Sequence, residues 1–239
     1  MKSESKAAIE SLLKRNQYVN YSMVISFLRS KNILKKESTI KTYLSRATTS
    51  GLIYDAGKGW YSSIKEPFNL NTKPIEKIIS QIQPSSPFLD FSCWSTEQIN
   101  PYTQHVLNKF VIFVFTDFDT IEPIAEILRD HDYTVYANPG KADIERNFRV
   151  DNNTVVIRPS ISKQPATDDF NFAAPIEKIL VDLVYEAPKL NIMDVSESHE
   201  VVQNATSAGR VNMASLLAYA DRRRVDLSWL KTVNDVHKS

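Results

Sequence analysis

The chain has 239 residues, 42% hydrophobic and 24% charged, with a net charge of +1 and one cysteine, Cys93. That composition supports two modest folded domains rather than a disordered chain, and one cysteine excludes an intramolecular disulfide and a cysteine-rich zinc site. The longest wholly apolar run, residues 110–115 (FVIFVF), is far short of the roughly 20 residues that span a bilayer. The opening MKSESKAAIE has no apolar signal core, so the expected setting is cytoplasmic and reducing, with no membrane partner.

The charge is unevenly spread. Residues 1–65 hold 12 Lys and Arg against 4 acids, a balance of +8, while the other 174 residues hold 17 against 24, or −7. A basic head on an acidic body is the distribution expected when one domain faces phosphate and the other does not.

In the head, residues 5–15 align Ile9, Leu12 and Leu13, and residues 21–30 align Val24, Phe27 and Leu28, the spacing of two helices that share a small core. A third helix is predicted from Ser38 as N-cap, after the basic pair Lys35 and Lys36, to about Ser50, with Gly51 as its stop. At 100° per residue Ile40, Tyr43, Leu44 and Ala47 share its inner side. Ser38, Lys41, Thr42, Ser45, Arg46 and Thr49 then face outward: short hydroxyl side chains with two cations and no acid, suited to close approach to base edges and phosphates in a major groove.

Residues 52–54 (LIY) and 60–62 (WYS) read as strands joined by a turn containing Gly57 and Gly59. Lys58 at its tip is placed to meet a backbone phosphate, and Trp60 and Tyr61 to pack the hairpin onto the helices. Helix, helix, helix and hairpin is the order of a winged helix-turn-helix. The expected DNA contacts are therefore Lys36, Ser38, Thr39, Lys41, Thr42, Ser45, Arg46, Thr49 and Lys58.

The run STIKTYLSRATTSGLIYDAGKGWYSS, Ser38 to Ser63, resembles the end of the winged helix-turn-helix domain of bacterial abortive-infection antitoxins of the AbiEi type. There a similar helix leads into a Gly-Leu-Ile step and a glycine-containing wing that ends in an aromatic residue. The resemblance implies a transcriptional regulator that represses its own operon on double-stranded operator DNA. It also implies the antitoxin role in a type IV toxin-antitoxin system, counteracting a nucleotidyltransferase toxin encoded beside it.

Residues 66–87 hold four prolines around one helical pattern, with Ile75, Ile78, Ile79 and Ile82 on its apolar side, and read as a linker with a docking helix. Segments 88–94 and 110–116 read as buried strands flanking a helix that Ser95 caps, with Gln98 in the reciprocal position. A helix over 120–130 and strands over 133–137 and 154–158 continue the alternation, so residues 88–239 are expected to form one mixed α/β domain with a helical C-terminus. Its helices are predicted from Pro175, with a stripe of Ile176, Ile179, Leu180, Leu183 and Val184, and over about 211–224. The fold class is thus α+β. The stretches FSCWSTEQIN (91–100), PIEKILVDL (175–183) and LLAYADRRR (216–224) are similar to stretches of antitoxin-like proteins with an N-terminal winged helix. Lys178 and Asp182 form an i,i+4 pair of the kind that adds a few tenths of a kcal/mol on an exposed helix, and Arg222, Arg223 and Arg224 meet a helix C-terminal dipole.

Enzymatic readings find little footing. Asp117 and Asp119 have the spacing by which nucleotidyltransferases hold a divalent metal, but the nearest preceding glycine is Gly59, so the Gly-Ser loop is missing, and Asp119 suits a helix N-cap. His131 and Asp132 read as a helix-end turn. Residues 140–144 (GKADI) lack the first glycine of a phosphate-binding loop, and Glu177 directly adjoins Lys178 where a nuclease needs acid-x-lysine. No catalytic residue, metal or cofactor is expected. A protein- or ligand-binding module tethered to DNA is the second reading, and a metal-dependent nucleotidyltransferase-like enzyme the third.

Overall fold

The computed structural model describes residues 3–33, 36–85, 89–167 and 172–230. Among them are ten α-helices and two small sheets, so the chain is α+β. They fall into two compact units, one drawing on Met1–Asn69 and Thr206–Ser239, the other on Leu70–Ala205.

The first unit opens with α1 (Ser3–Arg15), β1 (Tyr18–Asn20), α2 (Tyr21–Ser30) and α3 (Glu37–Thr49), then a hairpin of β2 (Tyr54–Asp55) and β3 (Trp60–Ser62). Apolar positions three and four apart on each helix converge on one core: Ile9, Leu12 and Leu13 of α1, Met23, Val24 and Leu28 of α2, Ile40, Leu44 and Ala47 of α3, closed by Ile53. Each such fully buried aliphatic side chain contributes roughly 1.5–3 kcal/mol. Asn20 caps α2, its Oδ1 accepting from Met23 N–H at 2.8 Å.

Two boundaries differ from the sequence expectation. α3 starts at Glu37 with Lys36 as its cap residue, and Ser38 is inside the helix; no side chain caps it. The strand expected at 52–54 pairs only from Tyr54, because Leu52 and Ile53 N–H reach back to Ala47 O at 2.9 and 3.4 Å and finish the helix end. Gly51, at φ +70°, makes that reversal in the left-handed region where a Cβ is costly. The three-residue β1 was not foreseen. It pairs antiparallel with β3, which pairs antiparallel with β2, in the order β1-β3-β2.

The second unit runs α4 (Lys73–Ser85), β4 (Phe91–Ser95), α5 (Thr96–Ile99), β5 (Val111–Thr116), α6 (Ile121–Arg129), β6 (Thr134–Ala137), α7 (Lys141–Asn147), β7 (Thr154–Pro159), α8 (Ile176–Glu186) and α9 (Val195–Ala208), whose last three residues belong to the first unit. The sheet order is β4-β5-β7-β6, with β5, β7 and β6 parallel and β4 antiparallel to β5. A strand covered on both faces has no need of polar alternation, which is why β5 reads VIFVFT. Ile75, Ile78 and Ile82 of α4 and Ile121, Ile124, Ala125 and Leu128 of α6 pack with Phe91, Cys93, Val114, Val155 and Ile157. The helix expected to dock within 66–87 is α4, whose isoleucines join this core, and the chain has already entered the second unit at Leu70. Cys93 is fully buried, which raises its thiol pKa.

The expected Ser95–Gln98 box is present, with Ser95 Oγ accepting from Glu97 N–H at 3.2 Å and Gln98 Oε1 from Ser95 N–H at 2.8 Å. Asp119 is not a helix cap: it lies inside a 3-10 turn, Phe118–Thr120, and Thr120 precedes α6. His131 does close a helix end, its Nδ1 2.8 Å from Ile127 O, and Asp132 turns the chain at φ +63°.

The largest departure concerns α8. Lys178, Asp182 and Glu186, spaced i, i+4, i+8, are all buried rather than exposed. Lys178 Nζ is 2.6 Å from Asp182 Oδ2 and 3.4 Å from the Phe115 ring centroid, while Glu186 Oε2 accepts from Arg158 Nε at 3.1 Å. Arg158 also donates to Pro139 O at 2.8 Å.

Beyond α9 the chain returns to the first unit as α10 (Met213–Arg223). The expected single domain over 88–239 is thus divided, because residues from Thr206 on bond to the N-terminal segment. Tyr18 Oη donates to Thr206 O at 2.9 Å and Gly209 O at 3.0 Å and accepts from Val211 N–H at 3.0 Å. Phe68 N–H donates to Arg210 O, and Arg210 N–H to Glu66 O, both at 2.9 Å. Gly57 in the hairpin turn has φ +99°, and any side chain there would collide with Asn212 Oδ1 and Ala214 Cβ. Of the three arginines ending α10, Arg223 is buried, and Arg224 stops the helix in a left-handed conformation. Among the described residues no helix is long and apolar enough to cross a membrane.

Candidate nucleic-acid interface

The observed division sharpens the charge asymmetry read from the sequence. The first unit holds 18 Lys and Arg against 8 Asp and Glu, a balance of +10, and the second 11 against 20, or −9. A field of that sign concentrates polyanions at one unit and repels them from the other.

On α3 the outward set is exposed as expected: Ser38, Lys41, Thr42, Ser45, Arg46 and Thr49, with Lys36 exposed just before the helix and Thr39 half-buried. Thr42 Oγ1 donates to Ser38 O at 2.9 Å and Thr49 Oγ1 to Ser45 O at 3.1 Å, so these hydroxyls lie along the helix and keep the face low. Ser38, Thr39, Thr42 and Arg46 converge with Tyr43 on one shallow concavity along the flank of the helix. The extra first-turn residue Glu37 is exposed and adds an acid beside this face, where it complements the positive end of the helix dipole.

Lys58 is exposed on the β2–β3 turn, away from the α3 set in sequence and in a different element. Tyr21 links the two places. Its N–H donates to Gly59 O at 2.9 Å, its hydroxyl donates to Glu37 O at 3.3 Å, and Lys41 Nζ stands 5.4 Å from its ring centroid. Burial, then the charge of Glu37, raise the Tyr21 hydroxyl pKa, so it remains a proton donor.

Sequence reasoning missed three residues here. Tyr21 read only as the start of a helix; an aromatic directly after the cap residue Asn20 was the available signal. Tyr43 was assigned to the core, yet it also lines the concavity. Arg210 lay outside the expected head altogether, and it donates to Ile64 O at 3.1 Å and to Lys65 O, with its guanidinium 5.1 Å from the Tyr54 ring.

In the second unit Asp117 and Asp119 are both exposed, and among the described residues no group of three His, Cys, Asp or Glu side chains is placed to hold a metal ion. Asp151 accepts from Thr134 Oγ1 at 2.7 Å and from Asn153 N–H and Thr154 Oγ1 at 2.9 Å. Burial alone would raise its pKa; these donors, with Lys109, outweigh that and lower it.

Fold and site together define a two-unit α+β protein with a basic, hydroxyl-lined helix face on one unit and a buried charge network in the other. The chain belongs to the DUF6577 family, a family of unknown function, whose profile matches residues 39–238 and so takes in parts of both units. No curated protein matches the chain.

Proposed function

We propose that the chain is a DNA-binding transcriptional regulator whose first unit is a winged helix-turn-helix. In this reading α3 enters the major groove with Ser38, Lys41, Thr42, Ser45, Arg46 and Thr49, while Lys36, Thr39 and the β2–β3 wing bearing Lys58 meet backbone phosphates. The observation that carries it is the exposed face of α3, which from Ser38 to Thr49 presents hydroxyls and cations alone, on a unit of net charge +10.

The test is binding of the full chain to duplex DNA, including the DNA upstream of its own gene, as salt is varied. Neutralising Z phosphates gives a slope of about −0.9Z in log K against log salt. Binding that ignores salt, or no binding to any duplex, removes the proposal.

The Ser38–Ser63 resemblance extends the same reading to the cytoplasmic antitoxin of a type IV toxin-antitoxin system, which represses its own operon and counteracts a nucleotidyltransferase toxin without catalysis of its own. Co-expression with a neighbouring toxin-like gene tests that part: rescue of growth by the full chain supports it, and unrelieved toxicity rejects it.

A further inference from the structure

The β2–β3 turn carries two glycines in the left-handed region, and their surroundings differ. A Cβ on Gly59, at φ +78°, would meet nothing within 4 Å, whereas a Cβ on Gly57, at φ +99°, would lie 2.0 Å from Asn212 Oδ1 and 2.7 Å from Ala214 Cβ. The turn is therefore open at Gly59 and rests at Gly57 on the start of α10. Ala56, beside it, is buried, and Ala214 N–H approaches its carbonyl at 3.5 Å. A second helix holds the other glycine: Tyr21 N–H, at the start of α2, donates to Gly59 O at 2.9 Å. Lys58 is exposed between the two glycines. The hairpin is only two residues of β2 against three of β3, and so small a pairing does not fix a turn by itself.

We propose that the start of α10 braces the wing, with Asn212 and Ala214 as positioning residues that act through Gly57 on Lys58. This role deepens the DNA-binding reading and rests on it, because the group Lys58 meets is a backbone phosphate of duplex DNA. A loop already ordered before binding avoids the ordering cost that a mobile loop meets on binding. The Lys58 side chain keeps its own rotamers; what the brace fixes is the backbone from which it reaches. Tyr21 adds the reference to α3: the residue whose N–H holds Gly59 also donates its hydroxyl to Glu37 O, in the first turn of α3. The brace thus sets where Lys58 stands relative to the helix that enters the groove. Asn212 suits the task, since its Oδ1 accepts from Ser215 N–H at 3.0 Å and is held by the helix it caps.

The experiment titrates a short duplex DNA with the full-length chain across a salt series, comparing wild type, Gly57→Ala and Gly59→Ala, each with and without Lys58→Ala. Both glycine variants place a side chain at positive φ, but only Gly57→Ala drives one into α10. Gly57→Ala is expected to shallow the slope of log K against log salt by about 0.9, the value for one phosphate contact. In that background Lys58→Ala should weaken binding less than about two-fold further. Gly59→Ala should keep the wild-type slope and the full Lys58→Ala loss. A wild-type slope in Gly57→Ala, or the same behaviour in both glycine variants, overturns the brace. If Gly57→Ala has no cooperative urea transition, Asn212→Ser decides: serine still caps α10 but withdraws Oδ1 from Gly57, and an undiminished Lys58→Ala loss there overturns the brace. Amide exchange gives a readout without DNA: Trp60 N–H, which donates to Gly57 O at 2.9 Å, should exchange at least about ten-fold faster in Asn212→Ser than in wild type. Faster exchange in a protein that binds no duplex would keep the brace and remove the DNA reading with the role of Lys58. Duplex binding with equal exchange rates and an unchanged slope would remove the brace and keep the reading.

Discussion

The hydroxyl of Tyr18, on a fully buried side chain in the first strand, donates to the carbonyl of Gly209 at 3.0 Å, a contact between residues 191 apart in the chain. The same oxygen serves Thr206 and Val211, so one side chain fastens the returning segment to the N-terminal helices. Tyr18→Phe keeps the ring and deprives the buried Val211 N–H of its acceptor. It should cost roughly 1–3 kcal/mol, read as a lower urea midpoint with an unchanged slope; a variant as stable as wild type would remove Tyr18 as the fastener.

Lys178 and Asp182 carry opposite charges in a fully buried environment. Lys178→Met should lose about 3–5 kcal/mol, because it leaves the Asp182 charge without the cation 2.6 Å away. The double variant Lys178→Met, Asp182→Leu should recover most of that loss, since two apolar side chains of similar size avoid desolvating any charge. Equal destabilisation in the single and double variants, by urea unfolding, would mean that packing rather than charge matters here.

On α3, Lys41→Ala and Arg46→Ala should each weaken binding to a preferred duplex by about 1–3 kcal/mol where the side chain reaches a base edge. Lys58→Ala should instead weaken all duplexes alike and shallow the salt slope by about one unit. Anisotropy titrations on matched and scrambled duplexes separate the two. An unchanged sequence preference in the Lys41, Arg46 double variant would exclude α3 from the groove.

Asp151 sets an acid-side prediction. Its pKa is lowered by folding, so its contribution to stability is fully present above the unfolded value of about 3.9 and is lost as pH falls through the lower folded value. Asp151→Asn should therefore reduce stability at neutral pH and flatten the decline below pH ~4. Chemical unfolding across that window checks it, and parallel pH curves for the two proteins would contradict it.

Local patterns in the sequence carried much of this fold. The 3.6-residue spacing of Ile9, Leu12 and Leu13 and of Val24 and Leu28 marked α1 and α2, and those residues are buried. The Ser95–Gln98 box and the exposed set on α3 were equally readable, because caps and amphipathic faces are written within a few residues. β1 was not, since three residues are too few to show alternation. Nor was α7, which buries only Ile144 and so has no apolar stripe. Lys178 and Asp182 have the same spacing whether a helix is wet or dry, and burial is a property of what packs on it. The concavity escaped for a related reason: Tyr43 sits at the border between the inner and outer faces of α3, and periodicity assigned it wholly to one. The return of Thr206–Leu230 to the first unit left no local mark, because it is made by backbone groups such as those of Gly209, Arg210 and Val211.

That return makes the second unit an insertion: the chain leaves the first unit after Asn69 and comes back at Thr206. A ribosome that has finished α1 to α3 must still add the intervening 136 residues, 70 through 205, which at about 5–20 residues per second takes roughly 7–27 s. The acidic unit is contiguous and can fold as it emerges, while the basic one waits for the Thr206, Gly209 and Val211 partners of Tyr18 and with the Gly57 turn unclamped. The complete first unit is therefore the last part of the nascent protein to form, and a chain truncated anywhere before α10 is released without the Asn212 and Ala214 side chains that pack on the Gly57 turn.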